Sequence, residues 1–131
     1  MGQQQLLLIV LGVIIVGIAV VVGINVFTAS SKNANRDAVI ADLTTLAAMA
    51  QQYYRKPTAM GGGGNSFVNW DVPSSLVRTA NMSEDVTIDA QTQDGLTLTA
   101  TSTEAGVDGD PFTVTMEITK NEIDTTYFSN F

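Results

Sequence analysis

Several residue types that carry chemistry in other proteins are missing from this chain of 131 residues. It contains no cysteine and no histidine, which excludes disulfides, thiolate and imidazole catalysis, and the usual zinc ligand sets. The Gly61–Gly64 run lacks the Lys and the Ser or Thr of a phosphate-binding loop. The sequence therefore predicts no catalytic, cofactor-binding or metal-binding residues, and it indicates a protein that is not an enzyme.

Basic side chains are also few, and the charges are unevenly distributed. Residues 1–60 carry four basic and two acidic side chains, a net charge of +2, whereas residues 61–131 carry two basic and eleven acidic ones, a net charge of −9. Nucleic-acid binding depends on neutralising phosphates with Lys and Arg, so no nucleic-acid partner is expected. An acidic surface favours solubility, and residues 58–131 are predicted to form an acidic, β-rich head.

The N-terminal region contains one long apolar run. Leu6–Ile24 has no charged or strongly polar side chain. A helix crosses a bilayer with about 20 apolar residues at about 1.5 Å of rise each, so this run is long enough to span a membrane. Residues 1–28 are accordingly predicted to form a hydrophobic half-helix.

Three interpretations of this half-helix compete. A cleavable signal is disfavoured, because the start MGQQQ has no Lys or Arg and the apolar run is too long. A single-pass anchor fits the length, although Lys32 and Arg36 on the C-terminal side would hold the head in the cytoplasm by the positive-inside rule. The third interpretation is an assembly element that packs against copies of itself.

Small residues in the apolar run bear on the third interpretation. Gly12, Ala19 and Gly23 are separated by seven and four positions, which places them on one narrow face of a helix. Small residues along one face let helices approach closely, although they also recur in membrane helices that do not associate. Gly17 is five positions from Gly12, so the two do not form a GxxxG motif.

The helix is predicted to continue beyond the apolar run as an amphipathic half over residues 29–57. Its apolar residues recur at helical spacing, and four of them are predicted to pack against the head: Leu43, Leu46, Ala50 and Tyr54. Arg55 complements the negative end of the helix dipole, and Pro57 disfavours helical geometry at the preceding residue. One helix from about residue 3 to 55 is therefore expected, about 80 Å long.

The head shows the alternation of half-buried strands from Asp85 onward. Four strands are predicted around four sets of residues: Val86, Ile88 and Ala90; Leu96, Leu98 and Ala100; Phe112, Val114, Met116 and Ile118; and Ile123 to Phe128. Asp94-Gly95 is a hairpin signal between the first two. The fold class is therefore predicted as α+β, a long N-terminal helix whose second half is covered by an antiparallel sheet of about four strands.

The rest of the head gives weaker signals. Gly61–Gly64 is predicted to be a flexible loop, and residues 66–76 are predicted to hold a short strand with a turn at Pro73. Glu104, Asp108 and Asp110 surround two glycines in a loop. The favoured interpretation is a solvated hairpin loop, and the alternative is a calcium-binding site. Asn81-Met82-Ser83 is a bare glycosylation sequon.

The order of these segments resembles the type IV pilin and pseudopilin family: a short polar start, an unbroken apolar run, a polar continuation of the same helix and a β head. The resemblance covers the architecture of the whole chain, and its specific motif is confined to residues 1–24. It implies a leader peptidase that cuts after a glycine, here between Gly2 and Gln3 unless Met1 is itself the mature start. If Met1 is the mature start, Gln5 occupies the place of the family's glutamate and Leu6 begins the apolar run. If the cut falls between Gly2 and Gln3, Leu7 occupies that place.

The function predicted from these features is structural. The chain is expected to insert in the cytoplasmic membrane and then to assemble with identical copies into an extracellular filament on the cell surface. Packing of the N-terminal helices, through Gln5, Leu6, Gly12, Gly17, Ala19 and Gly23, would form the filament core. The alternative is a single-pass, membrane-anchored ectodomain that binds a partner, as a minor pseudopilin does.

Overall fold

The computed structural model describes residues 2–131, apart from the side chains of residues 125–127. The helix α1 spans Gly2–Arg55, and a short 3-10 helix follows at Thr58–Met60. Four strands complete the described part of the chain: β1 Thr87–Gln91, β2 Gly95–Ala105, β3 Pro111–Thr119 and β4 Ile123–Ser129. The predicted α+β fold is confirmed. Met1, the alternative mature N-terminus, lies outside the described residues.

The chain divides into two compact units. One ends at Asn33, and the other spans Ala34–Phe131. The second unit, called the head below, therefore includes residues 34–55 of α1 as well as the sheet. Its boundary lies a few residues beyond the predicted limit of the hydrophobic half-helix at residue 28.

The sheet is an antiparallel meander with the strand order β1-β2-β3-β4. The β1–β2 hairpin occurs where it was predicted, with Thr92 N–H donating to the carbonyl of Gly95 at 2.8 Å. Gly95 is already the first residue of β2, so Gln93 and Asp94 occupy the tip of the turn. Leu98 of β2 pairs with Ile88 on one side and Met116 on the other, which gives the inward residues a common face.

The core of the head lies between the sheet and the second half of α1. Inward residues of β2 and β3 are all buried, and the helix contributes Val39, Leu43, Leu46, Ala47, Ala50 and Tyr54. Outward residues of the same strands, such as Thr97 and Thr115, are half-exposed. The alternation of apolar and Thr residues thus matches the two faces of the sheet, because successive strand residues point to opposite sides.

The C-terminus of α1 is capped by the glycine run. Gly63 N–H donates to the carbonyl of Tyr53 at 2.8 Å, Asn65 N–H to that of Tyr54 at 2.7 Å, and Gly64 N–H to that of Lys56 at 3.0 Å. The last carbonyls of a helix have no partner within the helix, and these amides satisfy them. The predicted flexible loop is therefore a hydrogen-bonded cap, and an added Cβ at Gly63 would overlap the carbonyl of Ser66.

Residues 61–86 are fully described and contain no named strand, so the strand predicted within residues 66–76 is wrong. Within this segment Asn69 takes a positive φ angle of 69°, which is incompatible with an extended strand. Gln91 instead holds the segment, because its side-chain amide donates to the carbonyls of Phe67 and Trp70 at 2.9 and 2.7 Å. Phe67 and Trp70 are both buried in the core.

Candidate assembly surface on the N-terminal helix

The first part of α1 presents an uninterrupted apolar surface. Every large hydrophobic side chain from Leu6 to Phe27 is between 53% and 75% exposed. A soluble monomer rarely exposes an apolar patch larger than a few hundred Å², so a surface of this extent requires a covering of lipid or protein. The segment is long and apolar enough to cross a membrane and could anchor the chain there.

One face of this segment carries small and polar residues, with Leu8 and Val16 between them. Gly12, Ala19 and Gly23 lie on this face, and Gln5 joins them because it is seven positions before Gly12. An added Cβ at Gly12 or Gly23 would meet nothing within 4 Å. The face is therefore open to the close approach of a second helix, with one side-chain amide available for a hydrogen bond.

Gly17 lies elsewhere on the helix. It is rotated by about 140° from Gly12 at 3.6 residues per turn, and it lines an open groove together with Ile14, Ile18, Val21 and Val22. The six predicted assembly residues therefore do not share one face. Gly2 and Gln3, the predicted processing residues, are exposed in the first turn of α1. Gln5 and Leu6 are exposed as well.

The four predicted core residues of the amphipathic half are brought together in the head. Leu43 and Ala50 are completely buried, Leu46 is 1% exposed and Tyr54 9% exposed. The Tyr54 ring lies 4.8 Å from that of Phe67, centroid to centroid. This face of α1 is occupied by the head's own core, so it is not available for assembly.

No family of known proteins, no curated protein and no solved structure matches this chain.

A polar network that the sequence did not reveal joins α1 to the loop before β1. The Asp42 carboxylate accepts hydrogen bonds from Thr79 Oγ1 at 2.6 Å and from Asn81 Nδ2 at 3.1 Å. Asn35 Nδ2 donates to the Asn81 carbonyl at 3.0 Å and to Thr103 Oγ1 at 3.1 Å. The amide nitrogen of the Asn81 sequon is thus engaged in the folded head.

The loop between β2 and β3 is supported by Asn130. Its carbonyl accepts from Val107 N–H at 3.0 Å and its Oδ1 from Asp108 N–H at 3.0 Å, and its Nδ2 donates to the Asp110 carbonyl at 2.9 Å. Among the residues that the structure describes, no three Asp or Glu side chains are grouped so that they could hold a metal ion. The loop is tied to Asn130 by these three hydrogen bonds.

Proposed function

We propose that this chain is a structural subunit of a pilin-like filament, and that the apolar part of α1 forms the filament core by packing against the same segment of neighbouring copies. The observation that carries the proposal is the exposed surface from Leu6 to Phe27. Burial of one large apolar side chain contributes about 1.5–3 kcal/mol before ordering costs. A segment of this length therefore supplies a large driving force once it is covered.

The small-residue face favours copies of the chain over lipid as the final covering. Lipid adapts to any side-chain outline, whereas Gly12, Ala19 and Gly23 leave gaps beside Leu8 and Val16 into which another helix can pack closely. Gln5 on the same face can donate a hydrogen bond to a neighbouring chain or accept one from it. Such a bond gains strength where water is excluded. In this proposal the membrane holds the chain before assembly, and the filament replaces it.

The resemblance to type IV pilins supports the same proposal through the order of segments. A long helix with an apolar first half and a second half buried in a head suits a filament with helices inside and heads outside. The acidic head, with a net charge of −9 over residues 61–131, would keep such a filament soluble at the cell surface. Identical copies are the proposed partners, and neither nucleic acid nor a cofactor has a part in the assembly.

The second candidate is a membrane-anchored ectodomain that works as a single copy and binds a different protein. The observation that favours it is the length and apolar character of the first half of α1, which suffice for a lone anchor. In that case detergent would keep the chain monomeric, and its small-residue face would contact lipid alone.

Electron microscopy of material sheared from cells that express the chain separates the two candidates, with mass analysis to show that the fibres contain it. Fibres are expected from the full chain. A truncated chain that begins at Ser30 keeps every buried residue of the head and is expected to be a soluble monomer. Monomeric, detergent-dependent full-length protein would contradict the filament, and fibres from the truncated chain would contradict the role of the N-terminal helix.

A further inference from the structure

The β2–β3 loop presents an apolar side chain at its tip. Val107 is 75% exposed, and Asp108 and Asp110 beside it are exposed carboxylates. We call residues 106–110 the Val107 tip. Its backbone is held by the three bonds to Asn130 and by Gly106 N–H, which donates to the Asp110 carbonyl at 2.7 Å. The exposed valine is therefore presented by an ordered loop, which lowers the entropy cost of binding.

A groove of about 210 Å³ lies at the other end of the head. It is lined by Met49, Gln52, Tyr53, Lys56 and Gly61, and we call it the Lys56 groove. Among these described residues Lys56 alone carries a charge. Met49 at 37% exposure offers an apolar wall. The groove thus combines apolar contact with a positive charge at its rim.

The tip and the groove are at opposite ends of the helical part of the head. The chain beside the tip contacts α1 near the start of the part that belongs to the head, where the guanidinium of Arg36 lies 5.1 Å from the ring centre of Phe131. The groove begins at Met49 and reaches Lys56. Arg36 and Gln52 are separated by about 24 Å along the helix axis at 1.5 Å per residue. One head therefore carries two different surfaces that cannot meet each other.

The charges of the two surfaces are complementary. Copies of a chain with a net charge of −7 repel one another, so heads in contact need a place where opposite charges meet. Arg55 is next to Lys56 in the sequence and donates a hydrogen bond to the Lys120 carbonyl at 3.3 Å. Three of the six basic residues, Arg55, Lys56 and Lys120, therefore lie at this end of the head, together with Glu122. The carboxylates of Asp108 and Asp110 flank the valine at the other end.

We propose that the Val107 tip of one copy inserts into the Lys56 groove of the next copy. The contact joins different surfaces of two identical chains, and such a heterologous contact repeats into an open polymer unless its rotation closes a ring. Val107 fills the apolar part of the groove, and Asp108 and Asp110 lie against Lys56. This inference rests on the proposed filament and specifies how its heads contact one another.

Cysteine crosslinking tests the contact without interference from other thiols of the chain, because the natural chain has no cysteine. The full chain carrying both Val107→Cys and Gln52→Cys is assembled, checked for fibres by electron microscopy and treated with a mild oxidant. A ladder of covalent oligomers on a denaturing gel is expected. A bond within one copy is excluded by distance, since a disulfide requires Cα atoms within about 7 Å. Each single variant is the matched control and is expected to remain monomeric on the gel.

The possible outcomes distinguish failure of the proposed contact from failure of the proposed filament. Fibres without a ladder would overturn the contact and leave the proposed function standing, and a dimer from Val107→Cys alone would replace it with a symmetric tip-to-tip contact. Absence of fibres from the unaltered chain would overturn both proposals.

Charge exchange provides a second test that needs no new bond. Lys56→Glu is expected to raise the concentration of unassembled chain at low salt, by roughly tenfold for like charges placed together. Combining it with Asp108→Lys and Asp110→Lys is expected to restore assembly, and high salt is expected to weaken both effects. Equal assembly of Lys56→Glu and the unaltered chain, or no restoration by the exchange, would overturn the contact.

Discussion

The backbone N–H of Gly63 donates a hydrogen bond of 2.8 Å to the carbonyl oxygen of Tyr53. This bond ties the glycine run to the last turn of α1 and sets the direction in which the chain leaves the helix. It also brings Gly63 so close to Ser66 and Tyr53 that a side chain has no room. A Cβ built there would overlap the Ser66 carbonyl and lie 2.7 Å from the Tyr53 ring.

Gly63→Ala is therefore expected to destabilise the head more than Gly61→Ala does. At Gly61 an added Cβ meets open space, and only the positive φ of 81° is unfavourable, which costs about 1–2 kcal/mol. At Gly63 the backbone of the cap must move, and we expect a loss of about 3 kcal/mol or more, as in other overpacked sites. Urea unfolding of the chain that begins at Ser30 measures both. Equal losses would contradict the role of the cap.

Leu43→Ala tests the core between α1 and the sheet. Leu43 is completely buried, and replacement of such a leucine costs about 2–5 kcal/mol through lost burial and the cavity left behind. Thr44→Ala is the matched control on the exposed side of the same turn and is expected to change stability by less than about 0.5 kcal/mol. The same unfolding experiment compares them. A small effect at Leu43 would mean that the sheet does not depend on the helix for its core.

Asp42→Ala is expected to lower the free energy of unfolding by about 1.5–3 kcal/mol, because Thr79 and Asn81 lose a charged acceptor. Asp37→Ala is the control on the same helix. The Asp37 side chain is 67% exposed and pairs with Arg36 at 3.0 Å, and solvent-exposed pairs contribute about 1 kcal/mol or less. Circular dichroism during denaturation gives both values. A larger loss at Asp37 would argue against the network around Asp42.

Gly12→Leu and Gly17→Leu distinguish the two sides of the apolar segment. Both changes favour the helix itself by a similar amount, up to about 1 kcal/mol, and at both positions a Cβ meets open space in the single chain. Gly12→Leu is expected to abolish or shorten fibres because it fills the small-residue face, whereas Gly17→Leu is expected to permit them. Fibre length and yield are read by electron microscopy. Equal behaviour would show that this face does not direct packing.

The regular elements were predictable because their signals are local. The alternation in β2 and β3 and the helical spacing of Leu43, Leu46 and Ala50 each follow from the pattern of neighbouring residues. The irregular segment before β1 was not predictable, since Phe67 and Trp70 suggest a strand while the amide of Gln91, distant in sequence, holds them otherwise.

The candidate surfaces also differ in how far the sequence predicts them. The apolar run of α1 is evident from composition, and the relation of Gly12, Ala19 and Gly23 follows from helix geometry. The Val107 tip and the Lys56 groove are defined by tertiary contacts, such as those of Asn130 with the loop. A single valine among acidic residues gives no signal until its exposure is known.

The strand order β1-β2-β3-β4 has a consequence for the timing of biogenesis. Each strand pairs with its neighbours along the chain, so the sheet closes short loops, and low contact order is associated with fast folding. The contacts between residues farthest apart in sequence are those that join the sheet to α1, and α1 is synthesised before the sheet. A head built in this way can reach its native state within a single chain, before any encounter with another copy. In the proposed filament, subunit addition would then be a docking event between finished heads.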